Sequence, residues 1–239
     1  MKNLMMTLSL ALVTTVALAA PEKFTVKTIE VSEFPSQMKG VDVAGAGGGG
    51  GGGAMTTHKP GMSIDQVGQV IAVAKDIVAL GESIYTLVQK GKPSNTTDFA
   101  PISIVPRDPI TKEVADPFEM ENCSMPAQKK FVTTINSASG GEGVRFEYMV
   151  VYTYGCSYNG SGKYIQNAMV QPVSVKTSYG WDFNATMKLN GIMNHGSKAL
   201  PVVGAMLSIK YSMNSWHTAF ERNDTVHITG NGELKNYSN

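Results

Sequence analysis

A hydrophobic pattern over residues 63–92 constrains the fold of this chain more than any other feature. Apolar residues recur there at alternating steps of three and four, with Gly81 filling the one gap, and this is the helical period. They are Ile64, Val67, Ile71, Ala74, Val78, Tyr85 and Val88. Ser63 and Gln66 match a capping box, and Gly91 followed by Pro93 matches a helix stop. We therefore predict one long amphipathic helix over residues 63–92, whose wide apolar face must be covered by other elements.

The chain after residue 93 changes to the period of a β-strand. Residues 144–154 alternate apolar with polar positions, which indicates a strand with one buried and one solvated face. Similar runs occur at residues 164–177, 181–189, 203–213 and 226–228. We predict six to eight strands that form an antiparallel β-sandwich over residues 93–235. The predicted fold class is α+β, mainly β, with the long helix packed on the sandwich in one folded unit.

The first 19 residues have the composition of a secretory signal peptide. Lys2 precedes an apolar core from Leu4 to Leu18, and Ala17-Leu18-Ala19 matches the small-x-small cleavage pattern. The alternative interpretation of this segment is an N-terminal membrane anchor. We predict a bacterial, Sec-exported protein that is periplasmic or extracellular.

The next segment, residues 20–62, combines a predicted strand with a glycine-rich tether. Apolar residues at roughly alternate positions predict the strand, and these are Phe24, Val26, Ile29 and Val31. Seven consecutive glycines, Gly47–Gly53, predict a flexible tether. We expect the strand to be able to add to a sheet edge of a neighbouring copy, because exposed edges accept extended segments.

Charge and cysteine content exclude some functions and predict one crosslink. The formal net charge of +1 argues against nucleic-acid binding, which requires a concentrated basic surface. The only two cysteines are Cys123 and Cys156, and an exported chain with one pair fits one disulfide. Two buried free thiols are the alternative interpretation.

The sequence contains no recognisable catalytic, cofactor or metal motif. The four histidines are His58, His195, His217 and His227, and none stands at a metal-ligand spacing from another histidine or cysteine. Residues 155–163 resemble a phosphate loop, but a predicted strand follows where a helix should begin, so a hairpin turn is favoured. We predict no catalytic residue, no cofactor and no metal ligand.

Aromatic residues cluster in the predicted sheet and could form a ligand platform for a glycan or a lipid headgroup. The candidates are Tyr148, Tyr152, Tyr154, Tyr158 and Trp181. Tyrosines at alternate strand positions also occur as ordinary half-buried sheet packing, which is the alternative interpretation.

Four short motifs resemble those of a family of uncharacterised exported proteins of Gram-negative bacteria. They are Gly91-Lys92-Pro93, Ser157-Tyr158-Asn159-Gly160-Ser161-Gly162-Lys163-Tyr164, Gly180-Trp181-Asp182-Phe183 and Thr229-Gly230-Asn231-Gly232. The resemblance covers roughly residues 63–235 and implies a helix followed by a β domain, with no known activity. The layout alone is also weakly similar to actinoporin-like pore formers, which join a long amphipathic helix to a β-sandwich.

These observations favour a non-enzymatic exported protein that binds or self-assembles at the cell envelope or outside it. The expected partners are other copies of the chain, an envelope or extracellular protein, or a glycan, and membrane contact is a further option. One alternative is a pore-forming or membrane-binding toxin that inserts the face of the predicted helix into lipid. Another is an enzyme whose site is assembled from distant loops and leaves no trace in the sequence.

Overall fold

The computed structural model describes residues 25–31, 70–95, 99–137, 141–215 and 219–238. These residues form thirteen β-strands and one 3₁₀ turn at Pro117–Glu119. The strands are β1 (Thr25–Val31), β2 (Val70–Ala74), β3 (Ile77–Leu80), β4 (Ile84–Gln89), β5 (Lys92–Pro93), β6 (Ile102–Pro106), β7 (Ala127–Asn136), β8 (Glu142–Tyr158), β9 (Ser161–Thr177), β10 (Trp181–Asn194), β11 (Val203–Ser215), β12 (Ala219–Thr229) and β13 (Leu234–Ser238).

The strands form two antiparallel sheets that pack in a sandwich-like arrangement. The seven-stranded sheet has the order β1-β7-β8-β9-β6-β3-β2, and the six-stranded sheet has the order β13-β12-β11-β10-β4-β5. Aromatic rings join the two sheets in the core, where the centroid of Phe146 on β8 lies 5.5 Å from that of Phe183 on β10 and 6.0 Å from that of Tyr211 on β11. The predicted two-sheet antiparallel architecture is therefore confirmed.

The predicted long helix is wrong. Residues 70–93 form the four short strands β2, β3, β4 and β5, and no α-helix occurs anywhere in the described ranges. The α+β fold class is wrong for the same reason, since the described chain is almost entirely β. Of the predicted helix face, Ile64 and Val67 lie outside the described residues, while Ile71 and Ala74 lie on β2, Val78 on β3, and Tyr85 and Val88 on β4.

The helical pattern misled because β3 is buried on both of its faces. Ile77 and Ala79 face the main core between the sheets, while Val78 and Leu80 pack into a smaller core with Val105. A strand buried on both faces has no polar positions to mark a period of two, and its sequence therefore does not distinguish it from a buried helix.

The predicted helix stop at Gly91 is the turn of a two-residue hairpin. Lys90 has φ of 48° and Gly91 has φ of 71°, and Gln89 pairs with Lys92 across the turn. Two consecutive positive φ values characterise a type I′ turn. Gly81 likewise serves a turn, since its φ is +120° and a β-carbon there would collide with the carbonyl oxygen of Pro101.

The C-terminal strands follow the predicted alternation, but they are longer than predicted. The predicted strand at residues 144–154 extends to all 17 residues of β8, and the adjoining turn has positive φ at Asn159 and Gly160. The register between β8 and β9 shifts near Pro172, because proline cannot donate to the ladder. The eight strands β6–β13 match the six to eight predicted after residue 93, and the other five of the thirteen are β1 and the four strands of the predicted helix segment.

The predicted disulfide is confirmed. Cys123, in the loop before β7, is bonded to Cys156 near the end of β8. The bridge connects the long 107–126 segment to the seven-stranded sheet, and backbone hydrogen bonds from Glu121 to Ser157 and from Ser124 to Tyr154 support the same attachment.

Candidate functional site

Strand β1 is the most unusual element of the fold because of its place in the sequence. It forms one edge of the seven-stranded sheet, while β2 forms the opposite edge. The 38 residues from 32 to 69 separate the two strands in the sequence. The predicted strand over Phe24–Val31 is thus confirmed from Thr25 onward, whereas Phe24 and the predicted glycine tether lie outside the described residues.

The pairing of β1 with β7 is regular along its whole length. The register runs without a shift from Thr25 opposite Asn136 to Val31 opposite Lys130. Near the end of β1, the Glu30 carboxylate lies 2.8 Å from the Lys129 ammonium. Among the described strands, only β7 pairs with β1, so the other edge of β1 completes no ladder.

The inner face of β1 reaches across the sandwich to the six-stranded sheet. Val26 packs against the main core, and the Thr28 hydroxyl donates a hydrogen bond of 2.9 Å to Oδ2 of Asp224 on β12. The same hydroxyl lies 3.0 Å from the hydroxyl of Thr133 on β7. Strand β1 therefore supplies a polar group to the interior in addition to its backbone ladder.

Asp224 is fully buried and depends on a small number of donors. Its Oδ2 also accepts a 3.0 Å hydrogen bond from the Tyr211 hydroxyl, and its Oδ1 lies 3.3 Å from Nε of Arg222. We call Thr28, Thr133, Tyr148, Tyr211 and Asp224 the Asp224 cluster. A buried carboxylate is costly unless donors and a cation compensate it, so every donor in this cluster contributes to stability.

The two tyrosines of the Asp224 cluster act through hydrogen bonds and not as acids, since Tyr211 donates to Asp224 and Tyr148 accepts from Tyr211 and Asn236. Burial raises the pKa of Tyr211 well above its usual range, and the neighbouring Tyr148 and Asp224 raise it further. Burial also raises the pKa of Tyr148. Both hydroxyls therefore keep their protons at any physiological pH, and the Tyr211 proton remains directed at Asp224.

The predicted aromatic platform does not lie on one exposed surface. Tyr148 and Tyr152 are buried in the core, where burial also raises the pKa of Tyr152 to about 12. Tyr154, Tyr158 and Trp181 are half-buried. A ligand-binding role for these residues stays a prediction, and burial restricts it to the last three.

The structure brings together two histidines that the sequence keeps apart. His195 follows β10 and His227 lies on β12, and their Nε2 atoms are 3.1 Å apart. Burial lowers the pKa of His227, His195 and Lys235 lower it further, and Glu233 opposes that change. His58 and His217 lie outside the described residues.

Sequence reasoning missed both the Asp224 cluster and the histidine pair. A signal for Asp224 existed, since it stands two residues before Val226 and four before Ile228, in phase with the buried positions of β12. No signal existed for the histidine pair, because the contact depends on β10 and β12 flanking the same central strand, β11.

The membrane-inserting alternative required the face of a helix, and the residues of that face that the structure describes lie on strands. In the described ranges, no helix has the length and apolar character to cross a bilayer. Comparisons with protein families, with characterised proteins and with solved structures found no match to this chain. The resemblance to uncharacterised exported bacterial proteins therefore stays a prediction.

Proposed function

We propose that this is an exported, non-enzymatic protein that self-assembles when β1 of one copy completes the seven-stranded sheet of a neighbouring copy. The observation that carries the proposal is that an edge strand, separated from the rest of the fold by 38 residues, supplies a hydrogen bond to a buried carboxylate. The signal-like composition of residues 1–19 supports export.

The position beside β7 requires an occupant. Without β1, Asp224 would lose the donor Thr28, and β7 would present an unpaired row of backbone groups. Exposed edges of this kind recruit strands from other chains. We call the position beside β7 the β1 slot, and we expect it to be filled by the chain's own β1 or by that of a neighbour.

The length of the intervening segment permits both arrangements. Six strand spacings separate β1 from β2, which is about 29 Å at roughly 4.8 Å per spacing. The 38 residues of 32–69 can extend over at most about 130 Å. The segment can thus reach across its own sheet, and it can also reach the β1 slot of an adjacent copy.

The two arrangements contain the same contacts, so concentration decides between them. The Val26 packing and the Thr28–Asp224 hydrogen bond form equally well with either β1. A tethered strand competes for its own slot with an effective concentration of the order of millimolar. Exchange between copies is therefore favoured where copies are crowded, as at a cell envelope, and exchange that continues from copy to copy yields open chains or rings.

Cysteine crosslinking across β1 and β7 tests the proposal directly. Lys27 and Thr134 are directly opposite each other and neither is buried, so Lys27→Cys and Thr134→Cys place two thiols within disulfide reach. The two single variants are purified separately, mixed at high concentration and oxidised. A disulfide between different chains is expected on a non-reducing gel, because only trans pairing brings these two cysteines together.

The matched control replaces Thr134→Cys by Lys188→Cys, which is an exposed position on β10 of the other sheet. This mixture measures the crosslinking that arises from random collision, and we expect far less of it than in the mixture of Lys27→Cys and Thr134→Cys. The double variant with both Lys27→Cys and Thr134→Cys reports pairing of either kind. If the double variant crosslinks only within single chains and the mixed single variants do not exceed the control, strand exchange does not occur.

A further inference from the structure

A pocket at one end of the six-stranded sheet places two imidazoles beside an open space. The pocket has a volume of about 280 Å³, and His195 and His227 lie in its wall together with Glu233 and Lys235. The backbone N–H of His195 donates to the carbonyl of Val202 at 2.7 Å, which holds the residue close to the start of β11. The sheet thus anchors the backbone of both residues, since His227 is itself part of β12.

Gly204 on β11 keeps space free next to both Nε2 atoms. A β-carbon built at Gly204 would lie 2.5 Å from Nε2 of His195 and 2.9 Å from Nε2 of His227. The backbone at Gly204 is not in the left-handed region, so its conformation does not itself require glycine. The missing side chain therefore leaves room beside the two nitrogens.

We propose that His195 and His227 form a binding site for one divalent transition-metal ion. Zinc–nitrogen bonds are about 2.0–2.1 Å long. If the angle between two such bonds at the ion lies between its square-planar and tetrahedral values, the two nitrogens are roughly 2.8–3.4 Å apart. The observed Nε2 separation of 3.1 Å falls inside this range. The same distance suits a hydrogen bond between two neutral imidazoles, and a bound ion would replace that hydrogen bond.

The donor set selects the class of ion. Imidazole suits Zn²⁺, Ni²⁺ and Cu²⁺, whereas Ca²⁺ and Mg²⁺ prefer oxygen ligands. The described residues contain no group of three or more histidine, cysteine, aspartate or glutamate side chains arranged for a metal. The site is therefore a two-ligand site with open coordination positions, and Cu²⁺ should bind most tightly among these ions.

The local charges partly cancel at this site. Lys235 pairs with His227 across β12 and β13, and its ammonium opposes binding of a cation. Glu233 lies in the same pocket with its carboxylate 3.9 Å from the Lys235 ammonium, which offsets that charge. Two imidazoles with no carboxylate ligand predict moderate affinity, so the site is one that fills at elevated metal concentration.

Metal titration of untagged protein tests the proposal. The starting protein carries His58→Ala and His217→Ala, so that His195 and His227 are its only histidines. We expect one equivalent of Cu²⁺ to bind, with a paramagnetic resonance spectrum that shows nitrogen ligands, and we expect Zn²⁺ to raise the melting temperature. Adding His195→Ala or His227→Ala to that protein should weaken binding at least tenfold.

His227→Gln separates coordination from structural hydrogen bonding. Glutamine can still hydrogen-bond to His195, but it is a poor ligand, so this variant should stay folded and lose the metal. Circular dichroism checks the fold of each variant. Unchanged Cu²⁺ affinity in folded His195→Ala and His227→Gln variants, or no stoichiometric binding in the starting protein, would overturn the proposal.

Discussion

Replacing Thr28 by valine removes one hydroxyl and keeps the shape and the strand propensity of the side chain. Thr28 is one of three partners of the buried Asp224 carboxylate, and its hydrogen bond is 2.9 Å long. Hydrogen bonds to charged groups contribute roughly 1.5–3 kcal/mol. Because Tyr211 and Arg222 remain, and because Thr28 is only half-buried, we expect Thr28→Val to lower the free energy of unfolding by about 1.5–2 kcal/mol.

Urea unfolding at neutral pH measures this loss. Lys27→Ala is the matched control, since Lys27 is the exposed neighbour on the same strand and its removal should change stability by less than about 0.5 kcal/mol. A double-mutant cycle with Asp224→Asn isolates the pair, and its coupling energy should exceed about 0.5 kcal/mol. A Thr28→Val variant as stable as Lys27→Ala would show that β1 does not occupy this position in solution.

Three further perturbations test the fold. Gly81→Ala should cost at least about 1–3 kcal/mol, measured by urea unfolding, because φ of +120° strains any residue with a β-carbon. Removal of the Cys123–Cys156 disulfide, whose cysteines are 33 residues apart, should cost roughly 3–4 kcal/mol in the chain-entropy model, measured as the shift in the urea midpoint on reduction. Hydrogen bonds from Lys130 and Arg145 lower the pKa of Glu147. The ionised Glu147 carboxylate therefore stabilises the fold at neutral pH, and this stabilisation disappears as the pH falls through the lowered pKa. Glu147→Gln should therefore remove part of the acid-induced loss of stability, by about 1 kcal/mol or less, and an unchanged pH profile would contradict this.

The sequence predicted the strands whose two faces differ in environment. Strands β8 and β11 have one buried and one more exposed face over most of their length, so their alternation is visible. Strand β3 is buried on both faces, and β2 and β4, which precede and follow it in the sequence, are short. Apolar residues of three consecutive strands then fall by chance at steps of three and four, and the spacing suggests a helix that does not form.

The candidate sites could be predicted only in part, because they depend on contacts between distant strands. The strand character of β1 was visible in its alternation, whereas the glycine run supports only a prediction of a tether outside the described residues. Its partner Asp224 lies 196 residues away in the sequence, and no local pattern connects the two. The histidine pair likewise requires the order of β10, β11 and β12 in the sheet, which a single sequence does not specify.

The buried carboxylate gives the β1 slot a means to select its occupant. A strand displaced by two residues would place Val26 or Glu30 opposite Thr133 in the position of Thr28. Valine has no donor for Asp224, and glutamate would add a second negative charge beside a fully buried one. Both shifts are penalised, as is any foreign strand with an apolar residue at this position. The charge that makes an empty slot costly therefore also fixes the register and favours a strand of this chain's own sequence, which is the property that ordered self-assembly requires.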